Sequence, residues 1–356
     1  MERSNPAPPC PNGQHSNTNL DLNNPCLGLI LDIFPLRFLL VHRMRPFLST
    51  IGYLALVFPG GALLAPLAWF CVHGSPAPLS FLNEHDDFHR YVTRCIMILA
   101  LAGLWPLLKM NAMATRKAIG LGPWRSARLH FNWSFGIGVG SFILLAIMGV
   151  ATTSMTWETG KPVAEWARHF KNTLLAMVLV SLIEEVLFRG VLFGGMRRSL
   201  DWRWAAAMAS VVFALAHFLN AKPPNPESFS LVTGLTFLPS MFHGPAGDAH
   251  WGARFINLFM AGMILCGLYK NTGNLYSSMA VHAGWILGGK TAVMATQFEG
   301  KREQFTHLQS AFWGRMEFIE GWAMTPVLFG LVIWVFIFQR DEIDPVLHSH
   351  DNALIH

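Results

Sequence analysis

Residues 174–195 read LLAMVLVSLIEEVLFRGVLFGG, from Leu174 to Gly195. The run is long and apolar enough to cross a bilayer, yet Glu184, Glu185 and Arg189 sit in its midst. An ionisable group at membrane depth costs on the order of 2.5–3.5 kcal/mol on insertion scales. Three such groups so close together therefore mark a site and not a filler stretch.

The rest of the chain agrees with a membrane setting. Its 356 residues are 52% hydrophobic and only 13% charged, with a mean hydropathy of +0.37. A water-soluble domain carries about 25% charged residues, so this chain lacks the polar surface to stay in solution. The formal charge of +5 and the pI near 9.1 do not indicate nucleic acid as a partner. Lys and Arg fall between apolar runs instead of in one patch, as loops obeying the positive-inside rule do. The lipid bilayer is the expected surrounding. Cys10, Cys26, Cys71, Cys95 and Cys266 show no CxxC pairing or metal-ligand spacing, and the last residues form no CaaX box.

The fold expected is all-α, a polytopic transmembrane helical bundle. Residues 1–26, rich in Pro and Asn, are expected to be a disordered polar tail. Residues 27–50 read as an interfacial or re-entrant segment, because Asp32, Pro35 and Arg37 break the apolar run. The transmembrane domain covers 51–340, its motif-bearing core 172–290, and a polar tail follows at 341–356. About eight spans are expected, at 51–73, 91–108, 133–153, 172–194, 204–219, 255–269, 274–290 and 322–339. Arg43, Arg45, Lys109, Arg116, Arg125, Arg197, Arg203, Lys270 and Arg340 all fall on one side if these spans alternate. That side is then cytoplasmic, with both termini inside and the protein in the cell membrane.

Two more ionisable positions repeat the anomaly: His217 in Phe213-Ala-Leu-Ala-His217, and His282 in SMAVHAGWILGG. Counted from the basic residues at the ends of their runs, Glu184, His217 and His282 lie roughly 18–21 Å deep at 1.5 Å per residue. The fourth, fifth and seventh spans would then share one site. Glu185 and Arg189, four apart on one helix face, can pair and so offset most of the cost of their charges. Glu184 points about 100° away from Glu185, free to face the other helices. With His217 it could hold and deprotonate a water. His282 could orient that water, bind a metal or stabilise an oxyanion.

EExxxR, FxxxH and a later His on a following helix resemble the CPBP family of intramembrane proteases. That family includes the CAAX prenyl endopeptidases and the bacterial "Abi" proteins. The resemblance covers about 172–290 and implies an endopeptidase acting on a protein or peptide at the membrane. It implies that Glu184 is the general base, working with His217 on water, that Glu185 and Arg189 complete the motif, and that His282 serves the oxyanion or metal side. If the chemistry is that of a metalloprotease, the implied ligands are Glu184, His217 and His282, with zinc as the metal. The third motif departs from the family's HxxxN or HxxxD, because Ile286 stands where Asn or Asp is expected. Loss of one oxyanion donor typically costs about 100- to 1,000-fold in rate. Asn220 or Asn257 is a candidate replacement donor.

Competing classes leave no trace. HExxH and GxSxG are absent, as is a Gly-rich phosphate loop. His85 and His89, like His243 and His250, read as loop residues. The alternative to an active protease is a catalytically weakened relative acting as a membrane scaffold or immunity-type protein. A proton-coupled transporter is a more distant third.

Overall fold

The computed structural model describes residues 25–73, 87–198, 200–219, 221–242, 244–245, 248–298, 311–314 and 318–337. The expected polar tails lie outside these residues, apart from the first two positions of α1. The chain divides into two compact units, residues 1–43 and 44–356, and everything below concerns the second unless stated.

The architecture is all-α. In chain order the helices are α1 (Pro25–His73), α2 (Phe88–Met110), α3 (Trp124–Ala151) and α4 (Val163–Glu184). They are followed by α5 (Trp202–Ala216), α6 (Trp251–Thr272), α7 (Tyr276–Ala295) and α8 (Met324–Ile337). The sequence explains several of the boundaries. Pro123 and Pro162 stand at the N-caps of α3 and α4, where a missing N–H costs nothing. The Asp201 carboxylate accepts from the backbone N–H of Arg203 and caps α5. Gly273, at φ 63°, takes the left-handed conformation that ends α6.

Among the described residues, four helices are long and apolar enough to cross a membrane: Phe47–His73, Phe88–Met110, Ala127–Ala151 and Trp251–Thr272. The other four expected spans are also helical. However, α5 and α8 have only 15 and 14 residues, while α4 and α7 carry the charged and small residues of the centre. Burial sorts the apolar four. Only 28–39% of the most apolar window is buried in the first three, against 61% in α6. Leu56, Ile98, Trp133 and Ile143 are exposed on the outer helices, a surface that suits lipid and not water. Helix α6 is central. The chain is a membrane protein.

Helices α3 and α7 meet through small residues. A Cβ on Gly138 would come within 2.4 Å of the Val281 carbonyl oxygen, and one on Gly284 within 2.6 Å of that of Phe135. Only glycine permits this approach, which is how helices associate where lipid removes the hydrophobic drive. A two-stranded antiparallel ribbon ties the far ends of the same region, with Met155, Thr156 and Trp157 opposite Phe298, Gln297 and Thr296.

Candidate active site

The stretch that opened the sequence reading is not one α-helix. After α4 ends at Glu184, residues Glu185–Phe193 form a π-helix, followed by a single α-turn at Gly194–Met196. Such wide turns are rare and concentrate at functional sites. The boundary falls between the two acids.

Glu185 and Arg189 pair as their spacing predicted. The Arg189 Nη1 donates to Glu185 Oε1 at 3.0 Å, and the two side chains are 1% and 0% exposed. The same oxygen is 2.8 Å from His282 Nδ1 on α7, so one carboxylate joins the π-helix to α7. Burial at this depth is tolerable only because each charge has a partner. The Phe213 ring fills the space between the charged groups. Its centroid lies 4.2 Å from the Arg189 guanidinium carbon and 4.5 Å from the His217 ring. The aromatic face attracts the cation, which gives the first position of FxxxH a physical role.

Glu184, His217 and His282 come together. Glu184 Oε2 is 3.8 Å from His217 Nε2 and 3.9 Å from His282 Nε2, too long for direct hydrogen bonds. That oxygen is buried and has no hydrogen-bond partner among the described residues. Both imidazoles are held from behind. His217 Nδ1 lies 2.9 Å from the Phe213 carbonyl oxygen, which can only accept, so Nδ1 carries the proton. The Nε2 lone pair is thereby left facing Glu184. His282 is fixed likewise, because its Nδ1–H donates to Glu185.

His217 is at once a helix-end residue bonded to a backbone carbonyl and a member of this cluster. Arg254, at the start of α6, holds its backbone: Nη2 donates to the His217 carbonyl at 3.2 Å while Nη1 pairs with Glu320 at 3.2 Å. The sequence reading missed Arg254. It is a charge at the edge of an apolar run, just before the span expected from 255.

The candidate replacement donors fare unequally. Asn257 is fully buried, and its amide nitrogen donates to the carbonyls of Ile319 and Gly321 at 2.9 Å each. Its oxygen accepts from Thr325 Oγ1 at 2.8 Å, so Asn257 ties α6 to α8 and has no donor left for an oxyanion. Asn220 lies outside the described residues, as do His85 and His243. His89 sits in the first turn of α2, and His250 is buried at the start of α6. Ile286 lines a cavity of about 410 Å³ that also takes in Phe213, His217, His282 and Trp285. The cavity is mostly apolar, with His169, His217, His282 and Lys290 at its wall.

A zinc ion bound tetrahedrally at about 2.0–2.1 Å brings its donors to about 3.4 Å from one another. The separations of 3.8 and 3.9 Å are wider than that. Among the described residues no group of three His, Cys, Asp or Glu closes on a common point as metal ligands would. Partners of one tetrahedral water, at hydrogen bonds of about 2.8 Å, stand about 4.6 Å apart, so the observed separations fall between the zinc and the water geometries.

Residues 166–287 match the family described as type II CAAX prenyl endopeptidase, Rce1-like. This segment is similar to the CPBP/CAAX protease family. The Rce1-like segment contains all five of Glu184, Glu185, Arg189, His217 and His282, together with Ile286 and Arg254. No curated protein and no solved structure matches the chain.

Proposed function

We propose that this protein is an intramembrane endopeptidase that hydrolyses a peptide bond in or near the membrane with water activated by Glu184. One observation carries the reading: a buried carboxylate oxygen, without a hydrogen-bond partner among the described residues, stands 3.8 and 3.9 Å from two imidazole nitrogens on other helices, too far for direct hydrogen bonds. The substrate is a protein or peptide presented at the bilayer, and the setting is the cell membrane with both termini cytoplasmic.

The steps follow from hydrogen-bond accounting. Water offers two hydrogens, whereas Glu184 Oε2 and two imidazole nitrogens offer three acceptors. One of the three therefore needs a proton of its own. His282, whose Nδ1–H is already held by the carboxylate of Glu185, is best supported as its carrier. Glu184 takes a proton from water as the oxygen attacks the carbonyl carbon. His282 Nε2–H donates to the oxyanion that develops, and the proton on Glu184 passes to the leaving amine as the C–N bond breaks. No metal enters this scheme. Treatment with 1,10-phenanthroline or EDTA is accordingly expected to leave the rate unchanged; silencing that zinc or cobalt reverses would show a metal-dependent enzyme.

Ile286 favours a second reading, a catalytically weakened scaffold, because the wall beside His282 lacks the family's amide. The two diverge in one variant. Ile286→Asn is expected to keep the hydrolysis rate or raise it by up to about 100-fold, since the side chain already lines the cavity. A rate reduced tenfold or more would show that Ile286 is needed as it stands.

A further inference from the structure

His217 stands at the C-terminal end of α5, where the last carbonyls of a helix have no partner within it. Arg254 takes the carbonyl of His217 itself, and a cation at a helix C-terminus is favourable besides. Its other terminal nitrogen meets Glu320, and the two side chains are only 11% and 17% exposed, so each charge depends on the other. Glu320 is in turn held from both sides. Three residues along α6 from Arg254, and so on the same face, the Asn257 amide takes the carbonyls of Ile319 and Gly321, the two neighbours of Glu320. A Cβ on Gly321 would come within 2.4 Å of the Trp313 carbonyl carbon, so the turn also packs directly on backbone behind it. Phe318 and Ile319 of the same turn line the cavity that takes in His217 and His282. The turn lies beyond the matched segment 166–287. An unbroken series of contacts thus runs from the cavity wall through Glu320 and Arg254 to His217.

The geometry points to Glu320 as a positioning residue for His217, acting through Arg254. Without the grip on its carbonyl the last turn of α5 frays, and with it goes the bond from His217 Nδ1 to the Phe213 carbonyl four residues back. That bond leaves the Nε2 lone pair facing Glu184. Once it is lost the proton is free to sit on either ring nitrogen, and the wrong tautomer presents a donor where the site needs an acceptor. A cation alone does not suffice at 254. The guanidinium fork spans two acceptors in fixed geometry, whereas a Lys ammonium is a point charge on a flexible stem. The inference rests on the proposed peptidase reading for what His217 does, not for how it is held.

The test reads the His217 ring directly. The full chain, with nitrogen-15 in its histidine rings, is placed in phosphatidylcholine nanodiscs at about pH 8, where an ordinary imidazole is neutral. His217→Gln assigns the ring signals by their absence. The parent is expected to show one tautomer, protonated at Nδ1. Glu320→Ala and Arg254→Lys are each expected to bring in the other tautomer to a tenth of the population or more. In cell membranes both are expected to lower the protein termini that depend on Glu184 by about tenfold or more at equal abundance. Asp201→Ala, which removes the cap at the opposite end of α5, is expected to leave both readings as they are. Should Glu320→Ala fail to accumulate because it strands Arg254, the double variant Glu320→Ala/Arg254→Met removes both charges and is expected to accumulate with the mixed ring. A single Nδ1-protonated ring in Arg254→Lys and in either Glu320 variant would overturn the proposal. So would termini undiminished in these variants, or an equal change in Asp201→Ala. A ring that responds to Glu320 in a parent yielding no Glu184-dependent termini sinks only the peptidase reading. Such termini in the parent, beside a ring that does not respond, sink only the positioning role.

Discussion

Glu184→Gln is expected to lower the rate of peptide-bond hydrolysis by about 10³-fold, within the range general acid–base groups contribute, while the protein accumulates normally. Gln keeps the size of the side chain and can still bond a water, but it cannot take the proton. Little structural loss follows, because the oxygen concerned makes no hydrogen bond among the described residues and Gln keeps its place between the two imidazoles. The check compares new protein termini in membranes from cells expressing either form at equal abundance. Termini that depend on Glu184 and cluster near membrane segments would identify the substrates together with the activity. Identical termini, in cells whose phenotype needs the protein, would move the assignment to the scaffold.

Arg189→Ala is expected to act on the fold, not on the chemistry directly. It strands the Glu185 carboxylate at 0% exposure with His282 as its remaining charged partner. Breaking one side of a buried pair typically costs about 3–5 kcal/mol, enough to deplete a membrane protein of ordinary stability. The measurement is accumulation in membranes and the midpoint of thermal unfolding in detergent. The double variant Glu185→Gln/Arg189→Met separates pair from packing. Removing both charges is expected to restore much of the stability, since Met fills the space over the Phe213 ring and Gln still accepts from His282. Activity should not return with it, because the carboxylate that supports His282 is gone. Normal stability of Arg189→Ala would refute the pairing as a structural requirement.

What the sequence reveals and what it hides follow from the range of each signal. Charges in apolar runs are visible one residue at a time, so Glu184, Glu185, Arg189, His217 and His282 stand out, and helical rise alone puts three of them at one depth. The i,i+4 spacing of Glu185 and Arg189 is equally local. The π-helix is not legible, because a slip in hydrogen-bond register over nine residues leaves no separate hydrophobic period to detect. Asn257 looked available since sequence gives a residue's type but not its partners, and all of its partners lie more than 60 positions away. The tie from Glu320 to His217 is hidden for a related reason. It runs through Arg254, 66 positions before Glu320, and only the packing of the 318–320 turn against α6 joins them. The number of spans is less legible than the site. Helices that surround a polar centre are short or mixed in character, and hydropathy alone does not say whether they cross.

The π-helix makes chain length at this point a variable in its own right. A substitution between 185 and 193 changes one side chain and leaves every other facing as before. Gain or loss of a single residue there would turn Gly194–Met196, and the connection onward to α5, by about 100° relative to Glu184. Glu184 and the helix that delivers His217 would then be out of phase with all five candidate site residues still present. Among natural variants of this chain, those that keep Glu185 and Arg189 and differ in composition elsewhere across 185–193 are thus compatible with a working site, and those that differ in length are not.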